Sequence, residues 1–409
     1  MHILQVTGEF PPNVTGGLGR HVWEISQALV RQGHTVSVLA PGRAGQKEVE
    51  EIRGIRIFRS IPVDIFSLSF VTDVLQMNYG LLEKAYLFSE ELEDVDLIHA
   101  HDWMVAFAAK TLKHSMRIPL IATIHATESG RNKGIHHDLN RYIHSIEWWL
   151  TYEAWAVIFC SNYMCWEGEQ LFSLPREKVH MIPNGVTPPE MKINTINRRN
   201  YAADDEFLLL YVGRLVPEKG VALLLHAFAE LKRRGVKIKL VIVGQGPQFN
   251  ELRSLSQQLG VAASVYFTGY IPDEEVNHLY HIADLAVVPS YYEPFGIVAL
   301  ESMVRGTPTL VADTCGLGEI IDDMVDGRKF LCGFMNSLVD MILWFVHNPG
   351  HARELAKKGK EKAYQVYNWD NIAAKTAEVY YSVVKESKKV KWHKPVLPWN
   401  SSEKEAMMK

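Results

Sequence analysis

The chain reads Tyr291-Tyr-Glu-Pro-Phe-Gly-Ile-Val-Ala-Leu-Glu301 shortly after an apolar run, Ala283–Pro289, that predicts a buried parallel strand. A helix is expected to begin at about Ile297. Glu293 then lies in the loop before a helix N-terminus, and Glu301 lies about one turn inside the helix. Open α/β sheets bind ligands where strands end and helices begin. The alternative is that both acids only stabilise the positive end of the helix dipole.

Strand and helix patterns alternate through the whole chain and predict an α/β protein with two doubly wound domains. A length of 409 residues exceeds what one core usually supports. The polar stretch 186–205 reads as the linker between the halves. We therefore expect a first domain at 1–187, a second at 188–372, and a C-terminal helix and tail at 373–409, with the helix packing back on the first domain. No sequence repeat indicates a solenoid.

Composition limits the function and the location. The formal net charge of −4 argues against nucleic-acid binding, which needs a basic surface. The four cysteines form no C-x-x-C pair, so reduced thiols in a cytoplasmic protein are expected. There is no run of 18 apolar residues, and the N-terminus lacks the pattern of a signal peptide. The basic run 388–394 reads as a solvated tail. The oligomeric state stays open.

A glycine-rich loop separates the first predicted strand from the first helix. It contains Gly16, Gly17 and Gly19, but roughly ten residues intervene, including a Pro-Pro pair, and a dinucleotide fingerprint needs a tight turn. A dinucleotide site is therefore not predicted. Backbone N–H groups of such a loop can still approach an anion.

Polar residues end the predicted strands in both halves: Asp102, His125, Arg214 and Glu293. Because the carboxyl edges of parallel strands carry the ligand sites, an active site in a cleft between two facing domains is predicted. Arg214 and Lys219, with helix N–H groups, suit a diphosphate. The alternative is that Arg214 pairs with Glu218 and that Lys219 only precedes a helix.

The histidines of the first half do not predict a metal site. No H-E-x-x-H or comparable spacing is present, and Asp102 alone does not complete a ligand set. We expect hydrogen bonding for some of these residues and ordinary packing for the others. They are His99, His101, His125, His136, His137 and His144.

The motifs together resemble the retaining GT-B glycosyltransferases of family 4. The resemblance covers roughly residues 1–385 and rests first on Gly213-Arg214 with Glu218-Lys219-Gly220, and on Glu293-Pro-Phe-Gly296 with Glu301. Within the family, His99-Ala-His-Asp-Trp103 is similar to glycogen and starch synthases. Further matches are the Gly16-Gly17 pair, Ile182-Pro-Asn-Gly185, His125-Ala-Thr-Glu128 and Ile143-His-Ser-Ile-Glu-Trp-Trp149.

The resemblance implies a role for each matching residue. Glu301 is expected to bind the nucleotide ribose and Glu293 the donor sugar, with backbone N–H groups of Phe295, Gly296 and Ile297 contributing. Arg214 and Lys219 are expected to hold the diphosphate, while Gly16 and Gly17 close over the phosphates. His125 is expected near the anomeric carbon and the 6-hydroxyl of the sugar, and Asp102 and Trp103 on the acceptor side. No metal or other cofactor is required.

The sequence departs from glycogen synthases at two places. Val14 stands where those enzymes carry a lysine before the glycine pair, and the usual segment after Gly327 is shortened. The base of the nucleotide therefore stays open.

The expected reaction is retaining transfer of glucose from ADP- or UDP-glucose to the non-reducing end of an α-1,4-glucan. One alternative is a family-4 enzyme with a lipid-linked or small-molecule acceptor, in which the region 65–87 and the basic tail touch a membrane. The other is a non-catalytic protein that binds nucleotide sugars.

Overall fold

The computed structural model describes residues 1–14, 16–61, 66, 68–189 and 197–390. The chain forms two compact units. The first unit contains Met1–Cys160, Cys165–Ile182 and the segment from Asp370 onward, and the second contains Ser161–Met164 and Pro183–Trp369. Parts of three predicted segments lie outside the described residues: the start of the region 65–87, the middle of the linker 186–205 and the end of the basic tail.

The first unit is built on an eight-stranded sheet with the strand order β3-β4-β2-β1-β5-β6-β7-β8. All neighbouring strands are parallel except β3, which pairs antiparallel with β4 at one edge. The strands are β1 His2–Thr7, β2 Thr35–Pro41, β3 Val49–Ile52, β4 Ile55–Ser60, β5 Leu97–His101, β6 Leu120–Ile124, β7 Ala156–Phe159 and β8 Val179–Met181.

In the part of the first unit that the structure describes, six α-helices connect these strands. They are α1 Gly17–Arg31, α2 Phe70–Leu87, α3 Ala106–Met116, α4 Glu128–Asn132, α5 Asp138–Glu153 and α6 Asn162–Phe172. The predicted first helix is confirmed as α1. Its Val22, Ile25 and Leu29 are fully buried because their spacing places them on one face.

The second unit has a six-stranded, wholly parallel sheet with the strand order β11-β10-β9-β12-β13-β14. Its strands are β9 Phe207–Val212, β10 Ile238–Val243, β11 Val265–Gly269, β12 Leu285–Val288, β13 Thr309–Asp313 and β14 Arg328–Leu331. Its helices are α7 Val221–Arg233, α8 Phe249–Gln258, α9 Asp273–Ile282, α10 Ile297–Arg305, α11 Leu317–Ile320, α12 Met335–His347 and α13 Pro349–Val366. Continuous apolar runs such as β9 suit a sheet that is covered on both faces.

The last described helix, α14 (Trp369–Ser387), begins at the end of the second unit, and from Asp370 onward it belongs to the first. Its Tyr380 side chain is fully buried and hydrogen-bonds to Gln5 on β1 and His99 on β5. The C-terminal helix therefore forms part of the core of the first unit.

Several elements were not predicted from the sequence, and β3, α2 and α6 are examples. β3 was not predicted, because Val49-Glu-Glu-Ile52 is short and half polar, as edge strands often are. α2 occupies a region that has no clean helical period, since it exposes several apolar side chains. α6 was also missed. No helix of the described part of the chain is long and apolar enough to cross a bilayer.

Candidate active site

Lys219 and Glu293 meet at the carboxyl edge of the second sheet. Lys219 follows β9, and Glu293 follows β12, which lies directly beside β9. The chain extends the sheet in one direction from β9 and in the other from β12, so these two strands form its topological switch point. Lys219 Nζ lies 2.6 Å from Glu293 Oε2, and both side chains are largely buried. The structure thus brings together two residues that are distant in sequence.

Close backbone packing holds the two loops in place. A Cβ atom added to Gly220 would lie 2.0 Å from the carbonyl oxygen of Pro289, and the φ angle of Gly220 is +67°. Both facts require glycine at this position. The backbone N–H of Tyr291 donates to the carbonyl oxygen of Glu218 at 2.8 Å. The loop that carries Lys219 is therefore tied to the loop that carries Glu293.

Arg214 follows the same strand as Lys219 but is more exposed, with 57% of its side chain accessible. Its Nη2 lies 3.8 Å from Glu218 Oε1, the pairing considered as an alternative from the sequence. An exposed pair at this distance is weak. The hydroxyl of the buried Tyr211 donates to the backbone carbonyl of Arg214 at 2.9 Å and fixes the main chain there. The guanidinium can therefore leave Glu218 without disturbing the loop.

Helix α10 begins directly after the Glu293 loop. Gly296 is its N-cap at φ +110°, and among the described residues no side chain caps this end. Phe295 is buried, and Ile297 is the first helical residue. Glu301 lies one turn further, as expected, and its backbone carbonyl accepts from Arg305 Nη1 at 2.6 Å. Backbone N–H groups at such a helix start favour an anion.

The glycine pair of the first unit lies at the start of α1. Gly16 is the N-cap of this helix in an extended conformation, and Gly17 is its first residue. No atom lies within 4 Å of a Cβ added to Gly16, so the residue borders open space in the described part of the structure. This loop follows β1, which neighbours β5 at the switch point of the first sheet.

Asp102 and His125 follow the neighbouring strands β5 and β6 and contact each other. The Asp102 carboxylate is buried, and its Oδ1 accepts the backbone N–H of His125 at 2.7 Å. Burial raises the pKa of Asp102 to about 6, against the lowering effects of Arg131 and of the backbone N–H groups of His125 and Ala126. The carboxylate, predicted on the acceptor side, thus also orders the loop that carries His125. Trp103 is buried and packs edge to face on Phe70 at 5.9 Å between ring centroids.

His125 is a neutral imidazole at physiological pH. Burial, with a smaller contribution from the charge of Arg131, lowers its pKa to about 3. His101 lies beside it, with Nδ1 3.3 Å from His125 Nε2. Burial, with smaller contributions from His99, His21 and His125, also holds the pKa of His101 well below its usual range. A neutral ring can donate or accept a hydrogen bond but supplies no charge to a phosphate.

His21, His101 and His125 form the cluster whose atoms could in principle hold a metal ion. Their ligand atoms all lie within 4.8 Å of one another. Two of the three rings are already within hydrogen-bonding distance of each other. The His21 ring packs edge-on against His125, with 4.7 Å between the ring centroids.

Sequence reasoning missed three side chains of this cluster: His21 packs on His125, Gln5 hydrogen-bonds to His101, and Tyr380 hydrogen-bonds to His99. The alternation along β5 does place His99 and His101 on one face of the sheet. The pairing of Gln5 with His99 depends on strand order, and the contact of Tyr380 depends on a helix more than 280 positions away. No local pattern carries that information.

Two family models match the chain. The model described as "Glycosyltransferase Family 4" matches residues 15–189, and the model described as "Glycosyl transferases group 1" matches residues 193–362. An uncharacterized glycosyltransferase of Methanocaldococcus jannaschii is 37% identical over 391 residues, covering 93% of this chain and 98% of its own. The glycogen synthase of Mycobacterium tuberculosis is 33% identical over 395 residues, covering 93% and 94%.

Solved structures support the same fold. A sucrose-phosphate synthase from Thermosynechococcus elongatus superposes with a TM-score of 0.79 at 23% identity, covering 94% of this chain and 99% of its own. The catalytic domain of starch synthase IV from Arabidopsis thaliana, bound to ADP and acarbose, superposes with a TM-score of 0.73 at 20% identity, covering 94% and 99%. The protein therefore has the GT-B fold and belongs to the family-4 glycosyltransferases, in their glycogen-synthase-like branch.

Proposed function

We propose that the protein transfers glucose from ADP- or UDP-glucose to the non-reducing end of an α-1,4-glucan, with retention of the α configuration. The observation that carries this proposal is the Lys219–Glu293 pair at the switch point of the second sheet. A cation and a carboxylate side by side can bind the diphosphate and the sugar hydroxyls of one donor molecule. The similarity to a glycogen synthase supports the choice of glucose and of a glucan acceptor.

In this proposal the second unit binds the donor. Glu301 holds the ribose, Glu293 holds hydroxyls of the sugar, and N–H groups of Phe295, Gly296 and Ile297 contact the sugar or phosphate. Lys219 and Arg214 hold the diphosphate. Because Glu293 already pairs with Lys219, the ammonium group is held at this edge of the sheet before a donor arrives. Such preorganised charge is usually the largest contribution to catalysis of this kind.

The first unit supplies His125, Asp102, Trp103 and the glycine loop. Neutral His125 accepts or donates a hydrogen bond at the 6-hydroxyl of the sugar, and Asp102 fixes the backbone N–H of His125. Gly16 and Gly17 let the loop approach the phosphates. Asp102 and Trp103 border the acceptor.

The chemical step proposed is a front-face displacement. The bond between C1 of glucose and the diphosphate oxygen breaks, and negative charge develops on the diphosphate. The 4-hydroxyl oxygen of the acceptor bonds to C1 on the same face, and its proton moves to the departing phosphate oxygen. Glu293 and Glu301 lie eight residues apart on one loop and helix rather than on two sides of a bond, so the paired-carboxylate scheme of retaining glycosidases is not used here. Lys219 and Arg214 carry the charge stabilisation, and no metal is required.

A second candidate function is transfer to a lipid-linked acceptor at a membrane surface. Helix α2 favours it, because this helix exposes Phe70, Leu75, Tyr79, Tyr86 and Leu87. Exposed apolar and aromatic side chains on one helix are typical of interfacial binding. Flotation with anionic vesicles separates the two candidates: a glucan enzyme stays at the bottom of the gradient, and a membrane enzyme rises with the lipid.

The primary proposal is tested by a donor and acceptor screen. ADP-, UDP- and GDP-glucose are each incubated with maltoheptaose in the presence of EDTA, and the products are sized by mass spectrometry. We expect products that grow by one glucose unit with ADP- or UDP-glucose. Activity only after a divalent metal is restored would overturn the metal-free scheme, and growth only with a lipid acceptor would favour the second candidate.

A further inference from the structure

A buried chain of hydrogen bonds runs from helix α14 to the ring of His125. Its members are Thr123, His99, Tyr380, Gln5, His101 and His125. Apart from His125, each of them is at most 2% exposed. All belong to the first unit. Buried polar networks whose members are all paired hold their side chains in one arrangement.

The register of the sheet explains how these residues meet. Gln5 on β1 is the partner of His99 on β5, and His101 on β5 is the partner of Thr123 on β6. Residues two apart on a strand share a face, so this whole set lies on one face of the sheet. Tyr380 reaches it from α14.

The amide of Gln5 sets the direction of the hydrogen bonds. Its Oε1 can only accept, and it lies 2.7 Å from His101 Nε2, so this nitrogen carries the proton. His101 is neutral, so its Nδ1 is unprotonated. The hydrogen bond of 3.3 Å between His101 Nδ1 and His125 Nε2 then needs its proton on His125 Nε2.

The amide nitrogen of Gln5 holds the side chain in this orientation. Gln5 Nε2 donates to the Tyr380 hydroxyl at 3.4 Å. The hydroxyl lies 2.6 Å from His99 Nδ1, and His99 Nε2 lies 2.7 Å from Thr123 Oγ1. A hydroxyl that accepts from Gln5 can donate its own proton to His99 Nδ1, and His99 Nε2 can then donate to Thr123. One consistent direction of hydrogen bonding thus connects His125 to Thr123. Without the Tyr380 hydroxyl, no other member of this hydrogen-bond network holds the Gln5 amide in its orientation. The amide can then flip, which exchanges the positions of Oε1 and Nε2.

We infer that Tyr380 and Gln5 are positioning residues that hold His125 in the tautomer protonated on Nε2. His125 Nδ1, the other polar atom of the ring, is thereby left as an acceptor. An unprotonated ring nitrogen can accept a hydrogen bond from a sugar hydroxyl but cannot donate one to a phosphate oxygen. The hydrogen-bond network thus selects the tautomer of His125 that accepts from a hydroxyl. That this hydroxyl belongs to the donor sugar rests on the role proposed above for His125. Orientation of an imidazole through the partner of its second nitrogen is a general device.

The test is the tautomer of His125 in solution. Protein labelled with ¹⁵N in histidine is studied by NMR, and the His125 signals are assigned by their absence from His125→Asn. We expect the proton on Nε2 in the unsubstituted protein. A proton on Nδ1 would mean that the Gln5 amide has the opposite orientation and would overturn the inference.

Tyr380→Phe provides the second readout, with Tyr381→Phe as its control. Tyr381 neighbours Tyr380 on α14 but is exposed, so both variants lose one hydroxyl from the same helix. Tyr380→Phe is expected to give a mixture of His125 tautomers and to lower kcat about 3- to 10-fold, with the KM for the glucan unchanged. Tyr381→Phe is expected to change neither.

An unchanged His125 tautomer in Tyr380→Phe would contradict the inference, even if activity fell. The NMR measurement needs no substrate. If the protein transferred no sugar at all, the proposed function would fail while the tautomer assignment would still stand or fall by itself.

Discussion

Lys219 Nζ lies 2.6 Å from Glu293 Oε2, although 74 positions separate the two residues in the chain. They follow neighbouring parallel strands, β9 and β12, and Gly220 allows their loops to approach closely. Two of the groups expected to bind the donor thus form an ion pair with each other before the donor binds. A diphosphate that arrives here meets a cation whose position is already set by a carboxylate.

Removal of the lysine should mainly affect the chemical step. Lys219→Ala is expected to lower kcat at least about 100-fold, because the negative charge that develops on the diphosphate loses its nearest preorganised cation. Lys237→Ala is the matched control, since Lys237 forms an ion pair with Asp205 on the exposed surface of the same unit. Steady-state kinetics with saturating donor measures the effect. Near-normal turnover in Lys219→Ala would refute the electrostatic account.

Substitutions of Glu293 and Glu301 should affect the binding of different ligands. Glu301→Gln is expected to weaken binding of the free nucleoside diphosphate, because Glu301 is assigned to the ribose. Glu293→Gln is expected to leave that binding within about 3-fold, because the amide oxygen of glutamine can still accept a hydrogen bond from Lys219. It is expected to weaken only the intact nucleotide sugar, because Glu293 is assigned to the sugar hydroxyls. Calorimetric titration of both variants with diphosphate and with nucleotide sugar gives the four constants. The same loss for both ligands in Glu293→Gln would contradict the division of roles.

His125 should not titrate in the working range of the enzyme. Burial lowers its pKa to about 3, so the ring is neutral throughout pH 5.5 to 8. His125→Asn is therefore expected to lower kcat by the same factor at every pH in this range. Asp102, whose pKa burial raises to about 6, is present in both proteins, so its titration cancels in this ratio. A factor that changes around pH 6.5 would contradict a His125 ring that stays neutral in this range.

Glu147 should lower the free energy of unfolding of the protein as the pH rises. Burial raises its pKa from 4.5 to about 9. Glu147 Oε1 accepts the backbone N–H of Glu128 at 2.8 Å, and Oε2 has no hydrogen-bond partner among the described residues. Between these two pKa values the folded state keeps a proton that the unfolded state releases, so this residue lowers the free energy of unfolding as pH rises.

Glu147→Gln removes that dependence. Its free energy of unfolding relative to the unsubstituted protein is expected to rise by about 4 kcal/mol between pH 5 and pH 8.5. Urea unfolding at the two pH values measures the difference. A gap between the two proteins that stays constant with pH would show that Glu147 does not titrate with a raised pKa.

The sequence predicted the parts of the fold that depend on local pattern. Buried strands read as apolar runs, and polar residues such as His125 and Glu293 follow them, so the strands and the edge that carries the site could be located. Helix α10 was predicted to begin at Ile297, and this prediction is confirmed. The GT-B fold and the family are confirmed as well.

Features set by tertiary contacts could not be predicted. β3 is held by pairing with β4 rather than by its own propensity, and the short polar run gives no signal by itself. The buried environment of Glu147 depends on the packing of α5, which its aromatic-rich sequence does not reveal. The chain from Tyr380 to His125 needs the strand order and the return of α14 to the first unit. Such contacts join residues that no sequence window contains.

The most direct test of the central proposal is the anomeric configuration of the new bond. Donor glucose labelled with ¹³C at C1 is transferred to maltoheptaose, and the first product is observed by NMR before it is extended. The account predicts a new α-1,4 linkage at the non-reducing end, with Lys219→Ala forming it at least about 100-fold more slowly. A β linkage, or no transfer from any nucleotide glucose to a glucan, would contradict it.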